Sequence, residues 1–228
     1  VNVVNALLAK EEIQINQATN AGFMAGFTPL YAACHDGHIN VVNVLLARKE
    51  IEINQVARDG TTPLLVACGN GHVNVVNVLL NRKEIQINLA ANGGATPLSV
   101  ACQNGHMKVV NALLARKKID INQAADDGAT PLAMACQDGH VNVVNALLGR
   151  KEIQINKASN DGSTPLYTAC QDGRVKVVKA LLAKKEIDIN KPFGEWTPLT
   201  VAHLQGHTEI VALLRQHLNK QGQLKQLE

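Results

Sequence analysis

The amino-acid sequence encodes an all-α repeat solenoid, built of helix-turn-helix units with short β-hairpin fingers, and three features say so. The triplet Thr-Pro-Leu recurs from Thr28, Thr62, Thr96, Thr130, Thr164 and Thr197, at spacings of 34, 34, 34, 34 and 33 residues. A Cys or His stands six residues after each of these threonines and a Gly nine after it, and all but one copy has a His next to that Gly. Aromatic residues make up only 3% of a chain that is 46% hydrophobic, so burial has to come from Val, Leu, Ile and Ala in small regular layers.

The second copy shows how one unit is built. Thr62 can accept a free backbone N–H at a helix start, and Pro63 fits the first helical position, where no donor is needed. That helix closes about two turns later at Gly71, the residue type best able to take the left-handed conformation. His72 leads into a second helix from Val73 to about Leu80, in which Val75, Val76, Val78, Leu79 and Leu80 are apolar and only Asn74 and Asn77 mark a polar stripe. So narrow a stripe means that the helix is sandwiched between neighbours. Arg82-Lys83-Glu84 then leads to the alternating stretch Ile85-Gln86-Ile87-Asn88 and to a turn ending at Gly94, which predicts a hairpin finger. Helices this short cannot bury their apolar faces alone, so each unit must stack on the next.

These residues and this period resemble the ankyrin repeat family, whose signature is Thr-Pro-Leu-His at a period of about 33 residues. The resemblance implies two antiparallel helices and a projecting hairpin per unit, and a stack with a concave groove. Two departures stand out. The period is 34 because the turn after the second helix is replaced by the longer Arg-Lys-Glu-Ile type of connector. The family's His after Thr-Pro-Leu gives way to Tyr31, Leu65, Ser99, Ala133, Tyr167 and Thr200, so the bond that His makes between repeats is not carried over.

The whole chain, 1–228, is expected to be one repeat domain. It divides into a partial repeat at 1–16, full repeats at about 17–54, 55–88, 89–122, 123–156 and 157–190, a capping repeat at 191–219 and a tail at 220–228. Val1 to Asn16 matches the second helix and connector of a unit whose first helix is absent, so the natural protein is expected to extend upstream. At the other end the polar residues Arg215, Gln216 and His217 have the character of a cap.

Composition argues against several functions. A net charge of +3 is too small to suggest a general nucleic-acid binder, and no apolar run approaches the roughly 20 residues of a membrane span. Cys34, Cys68, Cys102, Cys136 and Cys170 occupy one equivalent position per repeat, without the Cys-x-x-Cys or Cys-His spacing of a metal site, and are expected to be small buried fillers. Unpaired thiols favour a reducing, cytoplasmic compartment. The histidines His38, His72, His106, His140 and His207 recur once per unit, which suits a structural contact better than a catalytic base. No phosphate loop, Gly-x-Ser-x-Gly elbow or paired-carboxylate motif is present, and neither a catalytic residue nor a cofactor is expected. Basic connector pairs such as Arg48-Lys49 and Arg82-Lys83 are mostly followed by Glu and lack interleaved aromatics, so they are expected to be a solvated edge.

Positions that vary among the repeats are those free to serve a partner. At the finger tips these include Arg58, Asp59, Asp126, Asp127, Asn160 and Asp161, and at the ends of the first helices His35, Asp36, Gln103, Gln137, Asp138, Gln171 and Asp172. By resemblance to the family they line the groove, and their largely acidic charge favours a partner segment with Lys or Arg. All six aromatics fall outside the repeated core pattern. Phe23, Met24 and Phe27 lie in a first finger four residues longer than the others, Trp196 and Phe193 lie in the last finger, and Tyr31 and Tyr167 begin first helices. Phe27, Tyr31, Tyr167 and Trp196, with Phe23 and Met24, are candidate anchors; the terminal rings equally suit covering the ends of the stack.

The chain is therefore expected to be a monomeric protein-interaction scaffold or adaptor, not an enzyme, that grips another protein in the groove and takes no small-molecule substrate. The alternative is a targeting or regulatory module of a larger enzyme, or of a host-directed bacterial effector, whose other domain lies outside this chain.

Overall fold

Every Thr-Pro-Leu triplet opens a helix in the computed structural model, which describes residues 2, 6, 13–20, 26–220 and 222. The first helices of the units are α1 (Pro29–His35), α3 (Pro63–Gly69), α5 (Pro97–Gln103), α7 (Pro131–Gln137), α9 (Pro165–Gln171) and α11 (Pro198–Leu204). Their partners are α2 (Ile39–Leu46), α4 (Val73–Leu80), α6 (Met107–Leu114), α8 (Val141–Leu148), α10 (Val175–Leu182) and α12 (Thr208–Lys220). The architecture is an all-α repeat solenoid, as the spacing predicts.

The local chemistry follows the sequence closely. Each triplet threonine caps its helix by accepting the backbone N–H three residues on, for example Leu65 N to Thr62 Oγ1 at 3.0 Å. Ser99 and Thr200, which stand where the family signature has His, complete reciprocal capping boxes by accepting from Thr96 N at 2.8 Å and Thr197 N at 2.7 Å. Gly71 takes φ +75°, reversing the chain between α3 and α4.

Contacts divide the chain into two compact units, Val1–Asp120 and Ile121–Glu228. In the first, α1, α3 and α5 pack in one row and α2, α4 and α6 in another; in the second, α7, α9 and α11 pair with the row α8, α10 and α12. Each seam is filled by the repeated apolar residues. Val109, Val110 and Leu113 are fully buried in one unit, as are Val144 and Leu147 in the other. Burial of one such leucine contributes roughly 2 kcal/mol, far more than an isolated two-turn helix could supply.

The expected β-hairpin fingers are not built as strands. Among the described residues the only strand-like contact is an isolated bridge between Phe193 and Trp196. The fingers are instead tight turns closed by pairs such as Ala57 N to Thr61 O and Gly60 N to Ala57 O, both at 2.9 Å. The alternating Ile-x-Ile-Asn connectors bury their second isoleucine, the last of them burying both Ile187 and Ile189, and use the Asn as a bridge. Asn54 Nδ2 donates to Glu84 O at 2.8 Å while its Oδ1 accepts Gln86 N at 3.0 Å. Asn16, Asn88, Asn122 and Asn156 repeat the pair of bonds with the next connector along. Side-chain amides thus satisfy backbone groups that a ladder would otherwise pair.

Candidate functional site

The first-helix ends are held by bonds to their main-chain carbonyls. His72 Nε2 donates to His35 O and His106 Nε2 to Gly69 O, both at 2.8 Å, and His207 Nε2 reaches Gln171 O at 3.0 Å. The Gly-His pair is thus a coupling between units: a Cβ on Gly37 would stand 2.6 Å from His72 Nδ1, so the glycine of one unit makes room for the ring of the next. Arg174, in the histidine slot, donates Nε to Gln137 O at 2.7 Å and makes the same bond. The acceptors are main-chain carbonyls, so the identity of residues 35, 137 and 171 is not constrained by them. Asn70 and Asn104 add donations to His35 O and Gly69 O, which gives them a structural duty the sequence does not announce.

In the second unit the fingers and first helices enclose an open concavity of about 390 Å³. Asp127, Asn160 and Asp161 line it from the finger side and Gln137 and Gln171 from the helices, with Ala133, Ser159, Ser163 and Thr168 between. Five of the residues singled out from sequence variation therefore meet in one place. All five are exposed. Asp127 Oδ1 accepts Ala129 N and Asp161 Oδ1 accepts Ser163 N, each at 2.8 Å, so both carboxylates are anchored while keeping a face to solvent. The Ser163 N–H, and then the Ser159 hydroxyl, hold the Asp161 carboxyl below the usual carboxylate range, keeping it charged at neutral pH. Asn160 is tied to the preceding finger through its N–H to Asp127 O and its Nδ2 to Asp126 O. Asp126, Asp138 and Asp172 are exposed but do not line this concavity.

In the first unit the candidates are also at the surface. Arg58, Asp59, His35, Asp36 and Gln103 are exposed. His35 Nδ1 and Asp36 Oδ1 lie 2.7 Å apart, and that hydrogen bond is the main cause of the lowered Asp36 pKa. Asp59 Oδ1 accepts Thr61 N at 2.9 Å, the counterpart of the turns at Asp127 and Asp161.

The aromatics require correction. Tyr31 is 4% exposed and Tyr167 3%, so these two rings belong to the core and offer almost no surface to a partner. The physical reason is that a finger ring covers the slot after Thr-Pro-Leu, from the same repeat's finger at Tyr31 and from the next repeat's finger at Tyr167. Phe27 stacks on Tyr31 at 4.1 Å between centroids, and Phe193 on Tyr167 at 5.1 Å. Desolvation, then the charge of Asp59, pushes the Tyr31 hydroxyl up to about 12. Phe27 and Phe193 are half-buried, whereas Trp196 is 44% exposed. Phe23 and Met24 lie outside the described residues.

The five cysteines are buried and none is in a disulfide. Burial pushes the thiols of Cys34 and Cys170 up to about 12 and raises those of Cys68 and Cys102 as well, so they act as neutral apolar fillers. Among the described residues no group of His, Cys, Asp and Glu is placed to hold a metal ion, and no helix is long and apolar enough to cross a membrane.

Comparison with known proteins agrees with the geometry. A family model described as ankyrin repeats (3 copies) matches residues 51–125, 82–159 and 117–192, and one described as ankyrin repeat matches 25–58. No curated protein matches. Among solved structures, the human ASB11 ankyrin repeat domain is similar with a TM-score of 0.72 and 29% identity, over 84% of this chain and 84% of that one.

Proposed function

Because this chain belongs to the ankyrin repeat family, whose repeats are protein-interaction modules, we propose that it is a scaffold or adaptor gripping a basic segment of a partner protein. The observation that carries this reading is the concavity of about 390 Å³ in the second unit. Its walls come largely from residues that differ among repeats, the side chains of Gln137 and Gln171 are not needed for the bonds between units, and Asp127 and Asp161 give it negative charge. A Lys or Arg side chain entering it meets two anchored carboxylates and the amides of Gln137 and Gln171, a combination that favours charge-assisted hydrogen bonds.

The scaffold acts as a monomer in the cytoplasm, where a reducing milieu suits five buried thiols outside any disulfide. It contributes no catalysis of its own; the chemistry of any assembly it joins resides in the partner. The test is a titration of a lysine- and arginine-bearing peptide against the chain and its Asp127→Asn/Asp161→Asn variant. Asparagine keeps an Oδ1 acceptor for Ala129 N and Ser163 N, so the turns survive while the charge goes. The expected result is binding weakened about tenfold at an unchanged thermal midpoint, matching the loss of roughly 1.4 kcal/mol from two charge-assisted contacts. Equal affinity in both proteins would remove the concavity as the binding surface.

A further inference from the structure

One connector breaks the repeat in a way that the stacking of helices does not require. Where the chain has Arg82-Lys83-Glu84 and Arg150-Lys151-Glu152, the connector after α6 is Arg116-Lys117-Lys118. In the first two, the arginine is satisfied locally: Arg82 Nε donates to Glu84 Oε1 at 3.1 Å and Arg150 Nε to Glu152 Oε1 at 3.3 Å. Arg116 has a lysine where they have a carboxylate. Its Nη2 reaches back to Asn81 Oδ1 at 3.1 Å, and its Nε is buried with no hydrogen-bond partner. A buried guanidinium N–H without an acceptor is costly, and an oxyanion is the partner that satisfies it best.

Arg116 lines a depression of about 220 Å³ between its own connector and the preceding one. The other cations there are Arg82, Lys83, Lys117 and Lys118, and the apolar floor is Leu80, Ile85 and Ile87. Among the described residues no carboxylate lines it. The corresponding depression of the second unit, of about 250 Å³, has Arg150, Lys151 and Lys184 but also Glu186, so its wall already contains an anion.

We infer that the depression at Arg116 is a second interaction surface, which binds an acidic segment of a partner protein. A carboxylate of that segment pairs with the Arg116 guanidinium and the Lys117 and Lys118 ammonium groups that line the depression with it, and a neighbouring apolar side chain covers the isoleucine floor. A short segment fits better than an anionic lipid surface. Glu50, Glu52 and Glu84 are exposed on the adjoining connectors of the same unit, and a broad negative sheet would be repelled by them. The surface takes the opposite charge from the acidic concavity and is carried by different residues, so either can fail without the other.

The experiment is an anisotropy titration of the whole chain with a fluorophore-labelled peptide of alternating Glu and Leu at low salt. Saturable binding is expected. Lys118→Glu restores the carboxylate of the other connectors and gives Arg116 an internal partner; it should weaken binding about tenfold or more without lowering the thermal midpoint. Lys49→Glu makes the same charge change on an exposed lysine outside the depression and should weaken it less than about twofold, as expected for a screened surface charge. The double change Lys184→Arg/Glu186→Lys should add a second peptide site. Equal losses in Lys118→Glu and Lys49→Glu, or no loss in either, would overturn the proposal. So would capture of vesicles containing anionic lipid, sensitive to Lys118→Glu, in the absence of peptide binding.

Discussion

The second helices and the finger tips of this protein repeat with opposite strictness. Helices α4, α6 and α8 read Val-Asn-Val-Val-Asn-Val-Leu-Leu, Met-Lys-Val-Val-Asn-Ala-Leu-Leu and Val-Asn-Val-Val-Asn-Ala-Leu-Leu, whereas the tips read Arg58-Asp59, Asn92-Gly93, Asp126-Asp127 and Asn160-Asp161. The finger backbone nevertheless repeats: Ala57, Ala91, Ala125 and Ser159 each donate to the carbonyl four residues on, at 2.9 to 3.0 Å. Sequence identity within the chain therefore follows the side chains that carry packing, and it relaxes where the main chain makes the bonds itself. That separation leaves the finger-tip side chains free to differ from repeat to repeat.

The comparison is broken most severely in the helical row. Leu113 is fully buried on α6, which packs against α4 and α5, and Leu113→Ala removes apolar contacts from that seam. A loss of about 3 kcal/mol is expected, read as a lowered denaturation midpoint with helical content retained below it. A loss no larger than that of a finger-tip substitution would show that the stack is not held by this layer.

Alkali tests the same layer through its cysteines. Burial raises Cys34 and Cys170 from an ordinary 9.0 to about 12, so the folded state keeps these thiols neutral after the unfolded chain has begun to ionise. The sign is therefore destabilising with rising pH. Nothing is lost below about pH 9, and between 9 and 12 stability falls by about 1.4 kcal/mol per pH unit for each such thiol. Thermal midpoints measured from about pH 8 to 11 should be flat and then decline. The absence of any thiol-linked decline between about pH 9 and 11 would place the thiols in a polar setting.

Asn54 probes an intermediate case, a half-buried residue that repeats as strictly as the core. Asn54→Ala removes both the donation to Glu84 O and the acceptance from Gln86 N. The expected cost is about 1 to 2 kcal/mol by chemical denaturation, and Asn54→Asp should recover part of it because one acceptor remains. A neutral outcome would mean that water replaces the bridge at no cost.

Much of this fold is legible in the sequence, and the gaps have physical causes. Thr62, Pro63 and Gly71 each announce a backbone requirement that few other residues meet, so helix starts and reversals could be read directly. The Ile-x-Ile-Asn connector misled because period-2 alternation marks one-sided burial, and a strand is only one way to achieve it; the recurring Asn was the unused signal. Tyr31 and Tyr167 misled for a different reason. Their variability looked like a surface property, but the slot is closed by a ring: Phe27, four residues before Tyr31, and Phe193 from the next repeat's finger over Tyr167, the second a pairing no short-range pattern reveals. The orphaned Nε of Arg116 could be suspected from Lys118 replacing Glu, but only the geometry of Arg82 and Arg150 shows what that Glu does.

The smallest effect is expected at Gln171, and it bears most directly on recognition. Its carbonyl accepts His207 Nε2, a bond that any residue at this position supplies, while its side chain lines the acidic concavity. Gln171→Ala should therefore change stability by no more than about 0.5 kcal/mol in chemical denaturation, because an exposed side chain is removed and the inter-unit bond is kept. The same variant should lower affinity for a basic peptide a few-fold, since one amide acceptor beside Asp161 is lost. A cost as large as that of Asn54→Ala would make the variable wall part of the scaffold's own framework, and the division between packing residues and recognition residues would no longer hold in the second unit.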